Sequence, residues 1–225
     1  MAAVRRAVAD GLGTALLLAA VVGSGIMGER LSGGNVAIAL LANSLATGFA
    51  LTALIVAFAQ RSGAHFNPVI TLSLALRGEF PWREVTGYVA AQFAGALLGV
   101  LLAHAMFDLP LWQVSATPRQ GWGQCVSEVI ATFGLVMVVL SCDRGQPWSA
   151  PVAVGAYIAA AYWFTASTSF ANPSVTLARG LTATFAGIRP PDIAPFVGAQ
   201  VAGAGLAVLA DRMLGAGKRS SKPPT

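Results

Sequence analysis

Six apolar stretches, near 8–27, 36–59, 85–107, 123–142, 150–168 and 193–214, each approach the roughly 20 residues that carry a helix across a bilayer. Two further apolar pieces, 67–76 and 172–186, are too short to span. Composition agrees with this pattern. Charged residues make up 10% of the 225-residue chain and hydrophobic ones 56%, where a soluble domain carries about 25% charge. A water-soluble enzyme, a disordered tail and a nucleic-acid module are thereby excluded. The net charge of +5 comes from basic residues scattered between apolar runs, so no nucleic-acid partner is expected. Arg5 and Arg6 ahead of the first run also fit a cleaved signal peptide, but the repeat described below needs that segment as a span. Cys125 and Cys142 stand at opposite ends of the fourth span, about 25 Å apart at helical rise, too far to pair.

Lys and Arg bias sets the orientation. With six spans and cytoplasmic termini, the inner side holds Arg5, Arg6, Arg61, Arg77, Arg83, Arg144, Arg212, Lys218, Arg219 and Lys222. The outer side holds Arg30, Arg119, Arg179 and Arg189. The expected location is therefore the inner (plasma) membrane, multi-pass, with residues 215–225 as a flexible cytoplasmic tail.

The two halves of the chain are related. Asn67-Pro68-Val69-Ile70-Thr71-Leu72 matches Asn172-Pro173-Ser174-Val175-Thr176-Leu177 at four of six positions. The stretch Val89–Leu101 matches Val197–Leu209 at nine of thirteen. Asp10 precedes Thr14 by four residues, as Glu128 precedes Thr132. Repeat one spans about 8–107 and repeat two about 123–214, within a single membrane domain. Three spans per half is an odd number, so the second copy enters from the opposite face as an inverted repeat.

In each half the short segment lies between the second and third spans. From Asn67 to Arg77 it makes about 15 Å of helix, half of a ~30 Å hydrocarbon core. Two such half-helices from opposite faces meet near the midplane. Pro68 and Pro173 suit a first helical turn, the residue before each is pushed towards extended backbone, and Asn67 and Asn172 become N-caps. The small polar runs ahead of them, 62–66 and 167–171, are expected to be extended. Non-helical backbone at that depth requires a water-lined cavity or burial in protein. A ladder of carbonyls from Gly63, Ala64 and His65, and another from Thr168, Ser169 and Phe170, is expected to face a pore. Acids within spans are functional by default. Asp10 and Glu128 are therefore expected to accept hydrogen bonds from the backbone N–H groups of the loop before each half-helix. Gly11, Gly48, Gly95, Gly99, Gly155, Gly198 and Gly203 suit close helix crossings.

Ser62-Gly63-Ala64-His65-Phe66-Asn67-Pro68, the second Asn-Pro at 172 and the two acids together resemble the aquaporin and aquaglyceroporin (major intrinsic protein) family, over about residues 8–214. The resemblance implies an all-α, aquaporin-like bundle of six transmembrane helices plus two re-entrant half-helices. It also implies one pore per monomer, a homotetramer in the lipid bilayer, no cofactor, no metal and no enzymatic activity. Family members usually write both motifs Asn-Pro-Ala, and here they read Asn67-Pro68-Val69 and Asn172-Pro173-Ser174. The third residue packs the half-helices together, so a slightly altered midplane contact is expected. Both Asn amides are expected to donate to solute there. The Arg that follows the second motif in the family is Val175 here. Counting without gaps places the other constriction positions on Thr47, Ala160 and Ser169, with Phe49 replacing Thr47 if the register slips by two. Thr, Ala, Ser and Val leave a wide, uncharged opening. Arg179, one turn after Val175, either reaches back to replace the missing Arg or sits in the outer vestibule.

That opening is similar to the filter of bacterial arsenic-associated aquaglyceroporins of the AqpS type. It implies passive passage of water, glycerol and arsenic species (arsenite, methylated arsenicals). A secondary transporter also uses inverted repeats and a midplane site. It would need an ion or proton site at that depth, and no acid flanks either Asn.

Overall fold

The computed structural model describes residues 1–142 and 146–215. Arg144, Lys218, Arg219, Lys222 and the tail beyond Gly215 lie outside the described residues. All regular structure among the described residues is helical: α1 Ala2–Leu31, α2 Val36–Ser62, α3 Pro68–Leu76, α4 Trp82–Met106, α5 Trp122–Ser141, α6 Ser149–Phe164, α7 Pro173–Ala178 with a 3-10 turn Arg179–Leu181, and α8 Pro190–Gly215. Five of these helices are long and apolar enough to cross a membrane. The sixth expected span, α6, is shorter at 16 residues, about 24 Å at helical rise. The chain leaves it at Thr165 because the next residues form the loop that enters α7.

Helix α1 packs along α4 and α2, α5 packs along α8 and α6, and α2 meets α6. Small residues permit these approaches. A Cβ at Gly95 of α4 would overlap the Gly11 carbonyl of α1, and one at Gly203 of α8 would overlap the Val129 carbonyl of α5. Gly48 and Gly155 do the same for α2 and α6. Gly198, expected at a crossing, instead faces open space. Outward faces carry Leu12, Leu16, Leu41, Leu45, Phe49, Ile130, Val152 and Leu206, the apolar surface that lipid solvates.

The two half-helices start as their sequence dictates. Asn67 is extended, its side chain accepts from the Val69 N–H, and Pro68 occupies the first turn of α3. Asn172 is likewise extended and accepts from the N–H groups of Ser174 and Val175. The second half-helix is shorter than the apolar run 172–186 predicts. After the 3-10 turn, Thr182 is extended. The chain then doubles back, with the Ile188 N–H donating to the Arg179 carbonyl, and His104 Nε2 lies 2.8 Å from Thr182 Oγ1.

Candidate functional site

The runs before α3 and α7 are not simply extended. Ala64 and Phe66 in the first, and Thr168, Ser169 and Ala171 in the second, have φ between 46° and 59°. Left-handed backbone is uncommon for such residues and persists where the surroundings impose it. The reason lies in the acids. A left-handed residue beside a right-handed or extended one turns successive N–H groups to the same side, making an anion nest. Asp10 Oδ1 accepts from the His65 N–H (2.9 Å) and Ser62 Oγ (2.9 Å), and Oδ2 from the Phe66 N–H (3.0 Å) and Gln92 Nε2 (2.7 Å). Glu128 Oε1 accepts from the Phe170 N–H (2.9 Å), and Oε2 from the Ala171 N–H (2.8 Å) and Gln200 Nε2 (2.6 Å). Both carboxylates are fully buried, so neither snorkels to the interface. Gln92 and Gln200 also donate to Thr71 Oγ1 and Thr176 Oγ1, whose hydroxyls donate to the carbonyls of Asn67 and Asn172. Each acid thus holds its loop, its glutamine and the root of its half-helix in one network.

At the centre the two loops exchange bonds. Asn67 Nδ2 donates to the Ala171 carbonyl and Asn172 Nδ2 to the Phe66 carbonyl, both at 2.8 Å. Each amide has two N–H groups, so one of each is left over from this exchange. Ser174, the third residue of the second motif, adds its hydroxyl to Asn172 Oδ1 at 2.8 Å, while Val69 is buried. Pro68 and Pro173 are buried as well.

A cavity of about 130 Å³ runs past these groups. Ile55, Leu74, Val139 and Ala150 line one end, and Thr47, Tyr162, Ser169, Val175 and Arg179 the other. Between them lie Gly63, Ala64, His65, Phe66 and Asn67 of one loop, and Phe170, Ala171 and Asn172 of the other. The His65 ring packs against Phe80 and Tyr88 and meets Thr71 Oγ1 at 3.1 Å. Thr168 lines a second, outer cavity and not the pore.

The constriction differs from the ungapped count. Ala160 is exposed and does not line the cavity. Tyr162, two residues on, faces inward and sets its hydroxyl 3.3 Å from Thr47 Oγ1. Helix α6 rotates by about 200° over two residues, so a two-residue offset exchanges the lipid face for the pore face. Thr47 is buried and lines the cavity, whereas Phe49 points outward at 72% exposure, so the register on α2 does not slip. Arg179 lines both the pore and the outer cavity. It is buried, its Nε donates to the Ala186 carbonyl, and its Cζ lies 3.4 Å from the Phe170 ring centroid. The mouth therefore carries a tyrosine and a nearby guanidinium that Thr, Ala, Ser and Val do not imply.

Residues the sequence reading did not single out are Tyr162, Arg119, and the Gln92–Thr71 and Gln200–Thr176 pairs. The pairs had a signal: both members are identical between the matched repeats. Among the described residues, no three His, Cys, Asp or Glu side chains are grouped to hold a metal.

Comparison with known proteins agrees with this architecture. The major intrinsic protein family model matches residues 1–204. Aquaglyceroporin AqpS of Rhizobium meliloti (strain 1021) is 52% identical over 210 residues, covering 93% of this chain and 90% of that protein. The glycerol uptake facilitator protein of Bacillus subtilis (strain 168) is 38% identical over 98 residues, 38% of this chain and 35% of the relative. The X-ray structure of the aquaglyceroporin from Plasmodium falciparum superposes with a TM-score of 0.72 at 21% identity, covering 93% of this chain and 95% of that one.

Proposed function

The chain belongs to the major intrinsic protein family, and from that premise we propose that its pore passes water, glycerol and uncharged metalloid hydroxides such as arsenite. It is an integral membrane channel, not an enzyme. The observation that carries the reading is the pair of crossed amide bonds at 2.8 Å. They hold two half-helix N-termini together beside a cavity that continues on both sides of them.

The mechanism follows from these groups. A solute that enters past Thr47, Tyr162, Ser169 and Val175 loses part of its hydration. It regains hydrogen bonds from loop carbonyls along one wall, while the opposite wall is apolar. At the centre the free N–H of Asn67 and of Asn172 donates to its oxygens. Those donors and the positive ends of both helix dipoles face it there, which disfavours cations, as half-helix dipoles do in other pores. Polyols and As(OH)₃ present hydroxyl oxygens to that pair and an apolar or weakly polar side to the wall. Nothing in the pore binds arsenic covalently: Cys125 and Cys142 do not line the cavity. Methylated arsenicals fit the same description. The arrangement is read as one channel domain of two repeats, in the inner (plasma) membrane with cytoplasmic termini, assembled as a homotetramer.

Stopped-flow measurements on proteoliposomes test this. Fast, non-saturating and ion-independent uptake of glycerol and arsenite is expected. Saturating uptake that depends on a sodium or proton gradient would instead place the protein among secondary transporters.

A further inference from the structure

The outer cavity, about 420 Å³, carries two guanidinium groups with no carboxylate in direct contact among the described residues; Glu128 acts on both only through space, its oxygens being taken by the Phe170 and Ala171 N–H groups and by Gln200. Arg119 stands in the loop before α5 and Arg179 in the 3-10 turn after α7. Both line this cavity, and both guanidinium groups lie against one ring, 4.8 Å and 3.4 Å from the Phe170 centroid. Neither forms a salt bridge among the described residues. Asp192 accepts the Arg119 backbone N–H at 2.7 Å, but its carboxylate is engaged by the side chain of Arg189 through both oxygens. Glu29 is on the cavity wall yet not within ion-pair distance of either guanidinium.

Structural duty uses only part of each guanidinium. Arg119 donates Nε to Gly187 O, and Nη1 to Ser167 O and Thr168 Oγ1. Arg179 donates Nε to Ala186 O. Nη2 of Arg119 and both Nη atoms of Arg179 have no protein partner among the described residues. The Ser169 hydroxyl, buried on the pore wall beside Thr168, likewise has none. Two neighbouring cations removed from bulk water, with no carboxylate in hydrogen-bond contact, are costly. A planar fork with free N–H groups matches an oxyanion.

We propose that the outer mouth is a binding site for a small oxyanion held by Arg119 and Arg179, and that an anion seated there obstructs neutral solute at the mouth of the pore. The first half of this statement is independent of the channel's solute, and the second rests on the proposed passage of glycerol. Because Arg179 borders both cavities, a ligand on its free Nη groups lies across the path between vestibule and constriction. The anion is a ligand of the mouth and not cargo.

Calorimetric titration of inorganic phosphate into the full-length protein in a phosphate-free maltoside detergent, at constant ionic strength, tests the site without reference to flux. Saturable heat, with a phosphate-dependent rise in Tm over chloride alone, is expected. Arg119→Gln should weaken binding by about tenfold or more, as loss of a charge-assisted bond does. Arg189→Gln, whose side chain is spent on Asp192, should leave it intact. Arg119 is the decisive position because its side chain is only partly buried. Its variant is accepted as folded if it elutes and melts in chloride like the parent. An absence of heat with the parent protein, or unchanged binding in folded Arg119→Gln, overturns the site. In proteoliposomes, external phosphate should slow glycerol influx with the midpoint found by calorimetry. Phosphate that binds without slowing glycerol, or that is itself carried inside, overturns the obstruction. A parent protein that passes no glycerol but still binds phosphate leaves the site standing and refutes the proposed solute.

Discussion

Asp10 and Glu128 are buried carboxylates surrounded by donors, and the worth of each lies in the left-handed backbone it holds in place. Glu128→Gln puts an NH₂ where an oxygen accepted: against the Phe170 N–H, or against the Ala171 N–H and Gln200 Nε2. Either orientation sets donor against donor. With charge-assisted bonds worth about 1.5–3 kcal/mol each, the variant should lose about 3 kcal/mol, read as a lower Tm and a smaller yield of assembled protein. A melt equal to the parent's would show that Glu128 does not hold its loop. The acids and Asn residues were legible in the sequence because each occurs twice in matched positions. The constriction was less so, because an ungapped count carries register through a helix only if the loop at its end keeps its length. Ala160 and Tyr162 separate the two registers. Tyr162→Ala should increase passage of solutes larger than glycerol, whereas Ala160→Leu, on the lipid face, should leave flux unchanged in the same swelling assay.

At the scale of elements, the half-helices announce their starts and conceal their ends. Proline and an N-capping Asn fix the first turn by local chemistry. Where α7 stops depends on contacts distant in sequence, such as His104 on Thr182 and the return of Ile188 to Arg179. Helix crossings show the same division: small residues mark approaches, but Gly198 has nothing opposite it, since sequence alone does not say which face of α8 meets α5. Gly95→Val would drive a side chain into the backbone of α1 at Gly11, which cannot swing aside as a flexible side chain can. Overpacking of this kind costs about 1–3 kcal/mol, and a clash with backbone should fall at the upper end, seen as a lowered Tm in detergent. Gly198→Ala should melt no lower than the parent.

Across the whole molecule, charge divides by end. Arg6 pairs with Glu84, Arg77 with Asp211, and Arg212 reaches the Leu76 carbonyl, all at the end that the Lys and Arg bias places in the cytoplasm. Arg30, Arg119, Arg179 and Arg189 gather at the other end. An impermeant maleimide should therefore label Gln113→Cys on intact cells, and Arg83→Cys only after permeabilisation, in a background with both native cysteines replaced. The opposite pattern would invert the topology. The crossed amide bonds also have a consequence in time. Asp10 can bind the first loop as soon as its own half is in the membrane, since both lie in the same repeat. The amide of Asn67, however, needs the Ala171 carbonyl, 104 residues later in the chain. At about 5–20 residues per second of synthesis, it waits about 5–20 s for its partner. Mutations that loosen Asp10 should therefore lower the yield of inserted protein more than they lower flux through the channel that does assemble.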